Sequence, residues 1–383
     1  MDQRIPDRTD VAIVGAGIIG LSLAYELLRR GRRVVVLERE RPGAGASSVA
    51  PGMLAPTSEA YLEEPVLITL ALDSLGRYPR FVAELEAGTG LGCALRTDGT
   101  LWVALNRDDD EELAYLERAQ REKGLVSRRL TAREVLDREP HLAGRLIGGL
   151  LVETDHQVDP RCTLRALEAA IAALGGLVLC PFDVREVRAK GNRVAALAGV
   201  DGAGAPFEIA CEVAVIAAGS WSSSGIALPG PPLGVRPVRG QSLRLRGPEL
   251  LRHVVRHPDV YLVPRAGGEL LVGATVEEQG FEPVATAGGV LDLLRFAWQV
   301  LPGIYDLELH ELAIGLRPAV RDHLPVIGAG ALDGLFLATG HYRSGILLAP
   351  ATAQHLAEMI VSGRPQPALA PFAPERLAAR AAP

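Results

Sequence analysis

The chain has 383 residues, enough for about two domains, and its 48% hydrophobic and 22% charged content describes a globular protein and excludes a disordered one. A formal net charge of −6 argues against nucleic acid or an anionic membrane as partner. No apolar run reaches bilayer length and the start MDQRIPDRTD lacks a signal-peptide core, so a cytoplasmic location is expected.

Asp10 to Arg39 reads as a βαβ unit: an apolar strand (Val11 to Val14), a glycine turn, an amphipathic helix and a second apolar strand (Val34 to Leu37). Gly15, Gly17 and Gly20 have the G-x-G-x-x-G spacing. Gly15 permits the turn, Gly17 lets backbone approach a pyrophosphate, and Gly20 lets helix and strand pack closely. The helix N-terminus offers free N–H groups to phosphates, and Glu38 closes the second strand where a carboxylate accepts hydrogen bonds from a ribose diol. Strand, helix, second strand and acid together point to a dinucleotide.

The next segment, RPGAGASSVAPGMLAP, is too rich in small residues and proline for a regular element. It leaves the second strand on the ligand edge and reads as a covering loop, with Ser47 and Ser48 as hydroxyl donors. A helix follows over about Glu64 to Glu86, with Leu67, Leu70, Leu72, Leu75 and Tyr78 on its apolar face. Cys93 to Leu105 reads as a hairpin turning at Asp98-Gly99. Asp108 to Lys123 is a charged surface helix, and Thr131 with Glu134 marks the capping box of another. Asp159-Pro160 starts a further helix. Antiparallel strands then lead to the apolar run Val213 to Ala218, and Ala218, Gly219 and Trp221 bring a second backbone turn to the ligand.

Leu228 to Leu316 is strand-rich, with one helix over Gly289 to Val300, and reads as the antiparallel sheet of a second domain. The last stretch is strand, glycine turn and long helix, closing the first domain. Gly328-Ala329-Gly330 with Gly334 imitates the fingerprint, but a strand follows where a phosphate-binding helix would have to begin. With one fingerprint and a nucleotide fold completed at the far end of the chain, the expected ligand is FAD rather than NAD. Cys93, Cys162, Cys180 and Cys211 have no C-x-x-C spacing and the histidines no ligand spacing, so no metal site is expected.

For the substrate, Arg317 closes the strand LAIGLRP and Arg343 lies in the turn HYRSG. A guanidinium is a planar fork matched to a carboxylate. Tyr261, on a strand opposite Leu262, is a candidate only in their company.

Taken together, GAGIIG with Glu38-Arg39, Pro51-Gly52-Met53-Leu54, VYLVPR, VGAT, GLRP and GHYRSGILLAPAT resemble the FAD-dependent D-amino-acid oxidase family, nearest to the glycine oxidases of thiamine biosynthesis, over about residues 10 to 360. The resemblance implies an α/β fold. A three-layer Rossmann-like FAD domain (1–84, 151–227 and 318–383) is interrupted by an α+β substrate domain (85–150 and 228–317) with a mainly antiparallel sheet. It implies that Arg317 holds the substrate carboxylate, that Tyr261 orients it, and that Arg343 and Met53 line the pocket. Ile18, Ile19, Glu38, Arg39, Ala46, Ser47, Pro51, Gly52, Met53 and Val184 match the family's FAD contacts. So does the closing run His341, Tyr342, Arg343, Ser344, Gly345, Ile346 and Leu347, whose helix directs its N-terminal dipole at the flavin.

Two positions depart from the family pattern: Asp259 stands where a histidine is usual, and Pro51 where a small residue is usual. The implied reaction is oxidative deamination of glycine or another small amine by non-covalent FAD, with oxygen as acceptor and a homotetramer as assembly. Sarcosine oxidase, D-amino-acid dehydrogenase and a non-catalytic FAD-binding subunit of a heteromeric oxidase are the alternatives. The four cysteines end at Cys211, which disfavours a flavin tethered late in the chain.

Overall fold

A computed structural model describes residues 5–59 and 65–379. The opening βαβ forms as its pattern requires. β1 (Arg8–Val14) and β2 (Val34–Leu37) pair in parallel, joined by α1 (Ile18–Arg29). Gly15 has φ +105°, and a Cβ there would stand 2.5 Å from the Ala217 carbonyl oxygen; a Cβ on Gly20 would overlap the Gly15 carbonyl. Strand, turn and helix close up only because both side chains are missing.

β3 (Met53–Leu54) follows the covering loop, then α2 (Pro65–Thr89). The expected first residue of that helix, Glu64, lies outside the described residues. Leu70, Leu75 and Tyr78 are buried, but Leu72 is 39% exposed and does not belong to the apolar face. β4 (Thr100–Ala104), α3 (Arg107–Glu122), β5 (Arg128–Thr131), α4 (Ala132–Arg138) and β6 (Gly148–Val152) come next. Asn106 with Asp109 caps α3, and Thr131 with Glu134 caps α4, each a reciprocal capping box.

The expected hairpin over Cys93 to Leu105 does not form. Thr100 pairs with Val152 and Arg96 bridges Gln157, so the chain passes Gly99 and runs on along a single partner stretch. Gly99, at φ +89°, kinks the strand without reversing it, and a Cβ there would meet the Val152 carbonyl at 2.8 Å. Asp98 faces Arg96 and Arg252, both at 3.0 Å, and caps no turn.

β7 (His156–Gln157) leads to α5 (Pro160–Ala173), capped by Asp159, then β8 (Leu177–Leu179), β9 (Phe182–Lys190), β10 (Arg193–Asp201) and β11 (Pro206–Ile216). The remaining elements are β12 (Arg236–Arg246), β13 (Val254–His257), β14 (Val260–Pro264), β15 (Glu269–Gly273), α6 (Ala287–Val300), β16 (Glu308–Ala319), β17 (Val326–Ala329), β18 (Leu335–Thr339) and α7 (Gly345–Ser362). β17 and β18 form an antiparallel hairpin across the imitation glycine motif.

The first sheet runs β17-β18-β11-β1-β2-β8, with β10 and β9 continuing from β11. β11 does two jobs. Its first half pairs antiparallel with β10, and the rest pairs in parallel with β1 and β18. Helices α1, α2, α5 and α7 cover one face through a core that includes Leu21, Leu27, Tyr78 and Leu356. The second sheet runs β16-β12-β15-β14-β13-β4-β6-β5, assembled from two stretches of chain that meet where β13 lies parallel to β4. α6 packs on it through Leu293, Ala297 and Val300.

Two arginines tie the halves together. Arg161 of α5 forks onto Glu311 of β16 at 2.6 and 2.9 Å. Arg265 is buried, donates to the Gln157 side chain and the Pro51 carbonyl, and is pushed down to about 10 by that burial. Among the described residues no helix is long and apolar enough to cross a membrane.

Candidate active site

An open cleft runs between the two sheets, its wall continuous from the Gly15–Ile19 turn and Glu38 to Tyr261, Arg317 and the turn at His341.

At one end the cleft meets the N-terminus of α1. Gly17 caps that helix without a side-chain hydrogen bond, and the first turn holds no acidic residue. The Ile18 N–H donates to the Ser47 hydroxyl at 3.0 Å, which brings a mobile donor to the positive end of the helix. Glu38 turns back from the end of β2: one oxygen accepts from the Ala16 N–H at 2.8 Å and the other from the Glu40 N–H at 2.9 Å. Each oxygen keeps a lone pair for a further donor. On the rim, the Arg39 guanidinium stacks 4.4 Å above the Trp221 ring.

At the other end stand Tyr261 and Arg317. β14 pairs Tyr261 with Gly273, and the ring lies over that glycine so closely that a Cβ there would stand 2.5 Å from it. Arg317 leaves β16 across Gly240 of β12, and its Nη1 donates to the Thr275 carbonyl at 3.0 Å. Burial pushes the Tyr261 phenol up, and the neighbouring Arg317 and Arg256 guanidinia oppose the rise.

The turn 341–346 reaches the same end. The Tyr342 N–H donates to the Pro318 carbonyl at 2.8 Å, fixing the turn beside Arg317, and Tyr342 takes φ +47° with its ring stacked on His323. Arg343 lies 5.1 Å above the Tyr342 ring centroid. His341 is buried, bonded to the Thr352 hydroxyl at 3.2 Å and pushed down to about 3 by desolvation, so it is neutral at ordinary pH. Gly345 and Ile346 open α7 onto the cleft.

Of the residues singled out from sequence, Gly15, Gly17, Ile18, Ile19, Glu38, Arg39, Ala46, Ser47, Pro51 and Val184 line the cleft. Ala218, Gly219, Trp221, Tyr261, Arg317, His341, Tyr342, Arg343, Gly345 and Ile346 line it as well. Gly20, Ser48, Gly52, Met53, Ser344 and Leu347 stand behind that wall. Gly52, at φ +77°, is needed because a side chain would overlap the Val158 carbonyl. Met53 packs beside Tyr261 on Val254, Val263 and Leu271, and the Ser48 carbonyl accepts from Arg161 at 2.8 Å. Asp259 lies outside the cleft wall, with its backbone N–H on His257.

Sequence reasoning passed over Gly240 and Gly315, which face each other across β12 and β16 in the cleft wall. A glycine inside a strand was the available sign of close approach. It also missed the braces beneath the site: the Ser220 hydroxyl donates to the Leu316 carbonyl at 2.8 Å and the Thr339 hydroxyl to the Gly219 carbonyl at 3.1 Å.

A helix N-terminus with no acidic residue in its first turn, a carboxylate at the end of β2 and a continuous cleft from there to a guanidinium fit FAD laid out along the cleft. No cysteine lines it among the described residues, and none of their His, Cys, Asp and Glu side chains forms a cluster that could hold a metal ion.

The family described as DAO, FAD dependent oxidoreductase, matches residues 10–359. Glycine oxidase of Geobacillus kaustophilus is 36% identical over 369 residues, covering 95% of this chain and 96% of that protein. The bifunctional protein ThiO/ThiG of Trichormus variabilis is 34% identical over 95% of this chain and 54% of its own length. The crystal structure of the Geobacillus kaustophilus glycine oxidase superposes with a TM-score of 0.88 at 35% identity, covering 96% of this chain and 98% of that one.

Proposed function

Because the chain belongs to the DAO family of FAD-dependent oxidoreductases, we propose that it is a glycine oxidase that deaminates glycine and other small amines oxidatively. For glycine the balance is glycine, water and oxygen giving glyoxylate, ammonia and hydrogen peroxide. The names of the ThiO/ThiG relatives connect that reaction to thiamine thiazole synthesis, where the imine formed first would be used.

The observation that carries the reading is the Arg317 fork beside the Tyr261 phenol, at the opposite end of one cleft from the Glu38 carboxylate. Bound FAD supplies the two-electron acceptor that takes hydrogen from the substrate α-carbon and passes the electrons to oxygen. The chain's own residues do the rest. Gly17, the α1 N-terminus, Ser47 and Glu38 hold the nucleotide half, and Arg39 with Trp221 covers its rim. Arg317 fixes the carboxylate by two parallel hydrogen bonds, and Tyr261 limits how the small substrate turns. His341, neutral and buried, adds no charge beside the α7 N-terminus, whose dipole favours negative charge at the cleft. No general base of unusual pKa is required, because holding the α C–H in line accounts for the chemistry.

We take residues 1–84, 151–227 and 318–383 as the FAD domain and 85–150 and 228–317 as the substrate domain. The same reading carries a cytoplasmic location, non-covalent FAD and a homotetramer. The deciding experiment is anaerobic reduction of the flavin by glycine, sarcosine and small D-amino acids, followed by peroxide detection on admitting air. Bleaching by glycine with peroxide release is expected. A flavin that stays oxidised with every amine makes the chain a non-catalytic FAD-binding subunit, and reduction without peroxide makes it a dehydrogenase.

A further inference from the structure

β12 alternates its side chains between the two faces of the second sheet. Gly240 and Ser242 line the cleft, so Arg239 and Gln241 stand on the opposite face, where Gln241 lies against Gly289 of α6. The chain leaving β15 continues alongside β12 as an irregular strap. The Thr275 N–H donates to the Gln241 carbonyl at 3.2 Å, and Glu277 and Arg239 exchange two backbone hydrogen bonds of 2.9 Å. Cross-strand partners project their side chains to the same face. Glu277 therefore shares the α6 side with Arg239, and its carboxylate accepts from Arg239 Nε at 2.9 Å.

That carboxylate is a knot for three side chains. Oε1 accepts from the Thr275 hydroxyl at 2.5 Å and from Gln241 Nε2 at 2.6 Å, and Oε2 takes the buried Arg239. Burial pulls the Glu277 carboxyl up, but the hydrogen bonds from Thr275, Gln241 and Arg239 outweigh it and hold the group below the ordinary carboxylate range. The link to the substrate end is short. Arg317 Nη1, reaching across Gly240 on the cleft face, donates to two carbonyls, Thr275 at 3.0 Å and Arg239 at 3.4 Å. Glu277 holds both of them: Thr275 through its hydroxyl, and Arg239 through its guanidinium and through the Glu277 N–H on that same carbonyl.

We propose that Glu277 is the positioning residue of the substrate-carboxylate clamp, acting on Arg317 from the opposite face of the sheet. It fixes the Thr275 and Arg239 carbonyls, these anchor Nη1, and an anchored Nη1 sets the plane in which the guanidinium meets a carboxylate. Glu277 is not part of the cleft wall, so its loss should be felt by a bound carboxylate and not by the cofactor. The inference rests on the reading of Arg317 as the carboxylate clamp, and it is separable from that reading because Arg317 and Glu277 can be changed independently.

The test uses the FAD-loaded protein and acetate, a carboxylate that cannot be oxidised as an amine, with binding read from the perturbed visible flavin spectrum. Glu277→Gln keeps the shape, removes the charge and sets an amide donor among three donors. It should weaken acetate about ten-fold and raise KM for glycine by the same factor, while FAD affinity and the spectrum of the free oxidised flavin stay at their wild-type values. In an Arg317→Lys background a point charge replaces the fork, and Glu277→Gln should then weaken acetate by less than about two-fold. Thr275→Val removes only the hydroxyl on the Glu277 carboxylate and keeps the carbonyl. It should show the same pattern, and it decides the question if Glu277→Gln does not fold. Unchanged acetate affinity, an equal loss in the Arg317→Lys background, or a loss of FAD affinity in step with that of acetate overturns the positioning role. Wild-type acetate affinity in Arg317→Ala, with Glu277 intact, would overturn the clamp reading instead.

Discussion

Gly240→Ala perturbs the proposed clamp without removing any of its groups. Gly240 lies inside β12 opposite Gly315, and the nearest atoms a Cβ would meet all belong to Arg317. Cζ and Nη2 of the guanidinium would each be 2.6 Å from the new carbon. Ordinary contact is about 3.5–4.0 Å, so the fork must retreat by roughly 1 Å. Its Nη1 hydrogen bond to the Thr275 carbonyl, 3.0 Å long, would be stretched or broken in the process. A displacement of about 1 Å in an orienting group costs on the order of 100-fold in rate. Deleting the fork outright costs about 2–5 kcal/mol, or roughly 30- to several-thousand-fold. Gly240→Ala should therefore weaken acetate binding and lower kcat/KM for glycine by about 10- to 100-fold, with FAD content and melting temperature close to wild type. Acetate titration of the flavin spectrum and steady-state kinetics read the two effects. Wild-type acetate affinity in this variant would show that the guanidinium does not work from the position it holds above Gly240.

Arg317→Ala should keep its FAD and lose glycine affinity by the larger factor above; normal turnover at low glycine would refute the clamp. Denaturing the holoprotein with acid should release all of the yellow chromophore, because no cysteine among the described residues lines the cleft; colour left on the precipitated chain would refute non-covalent binding. Burial raises the Asp155 carboxyl from 3.8 to about 7, so between those values the folded protein holds a proton that the unfolded chain has released. Stability from this group is complete below about 3.8 and is lost as pH rises through about 7. Asp155→Asn should accordingly gain more melting temperature over wild type at about pH 8 than at about pH 5, and a pH-independent difference would contradict it.

What could be read in advance was local. The βαβ, the Thr131–Glu134 capping box and the Asp159 helix start each depend on residues within one turn or one strand, where spacing alone fixes the geometry. Asp98-Gly99 is the informative failure. The pair has hairpin chemistry, yet β4 takes its partners from β6 and β13, and no property of residues 93–105 announces strands so far along the chain. The same limit separates Arg317, legible as a cation in an apolar strand, from Gly240, whose role comes from the β12–β16 register. It also hides the Arg161–Glu311 fork, whose members are 150 residues apart.

The substrate end could not have been local. Parallel strands need crossovers, so a sheet that binds a nucleotide on its first turn must recruit later chain to complete the cleft. Here β11 makes that possible. The antiparallel run of β9, β10 and β11 sets its register, and its second half then offers one edge to β1 and the other to β18. β18 in turn delivers the turn 341–346 to Pro318, beside Arg317. Arg317 and the α7 N-terminus meet because both are anchored to strands placed by β11 and β12, and a change that shifts β11 by one residue would separate the nucleotide end from the substrate end while leaving every motif in the sequence intact.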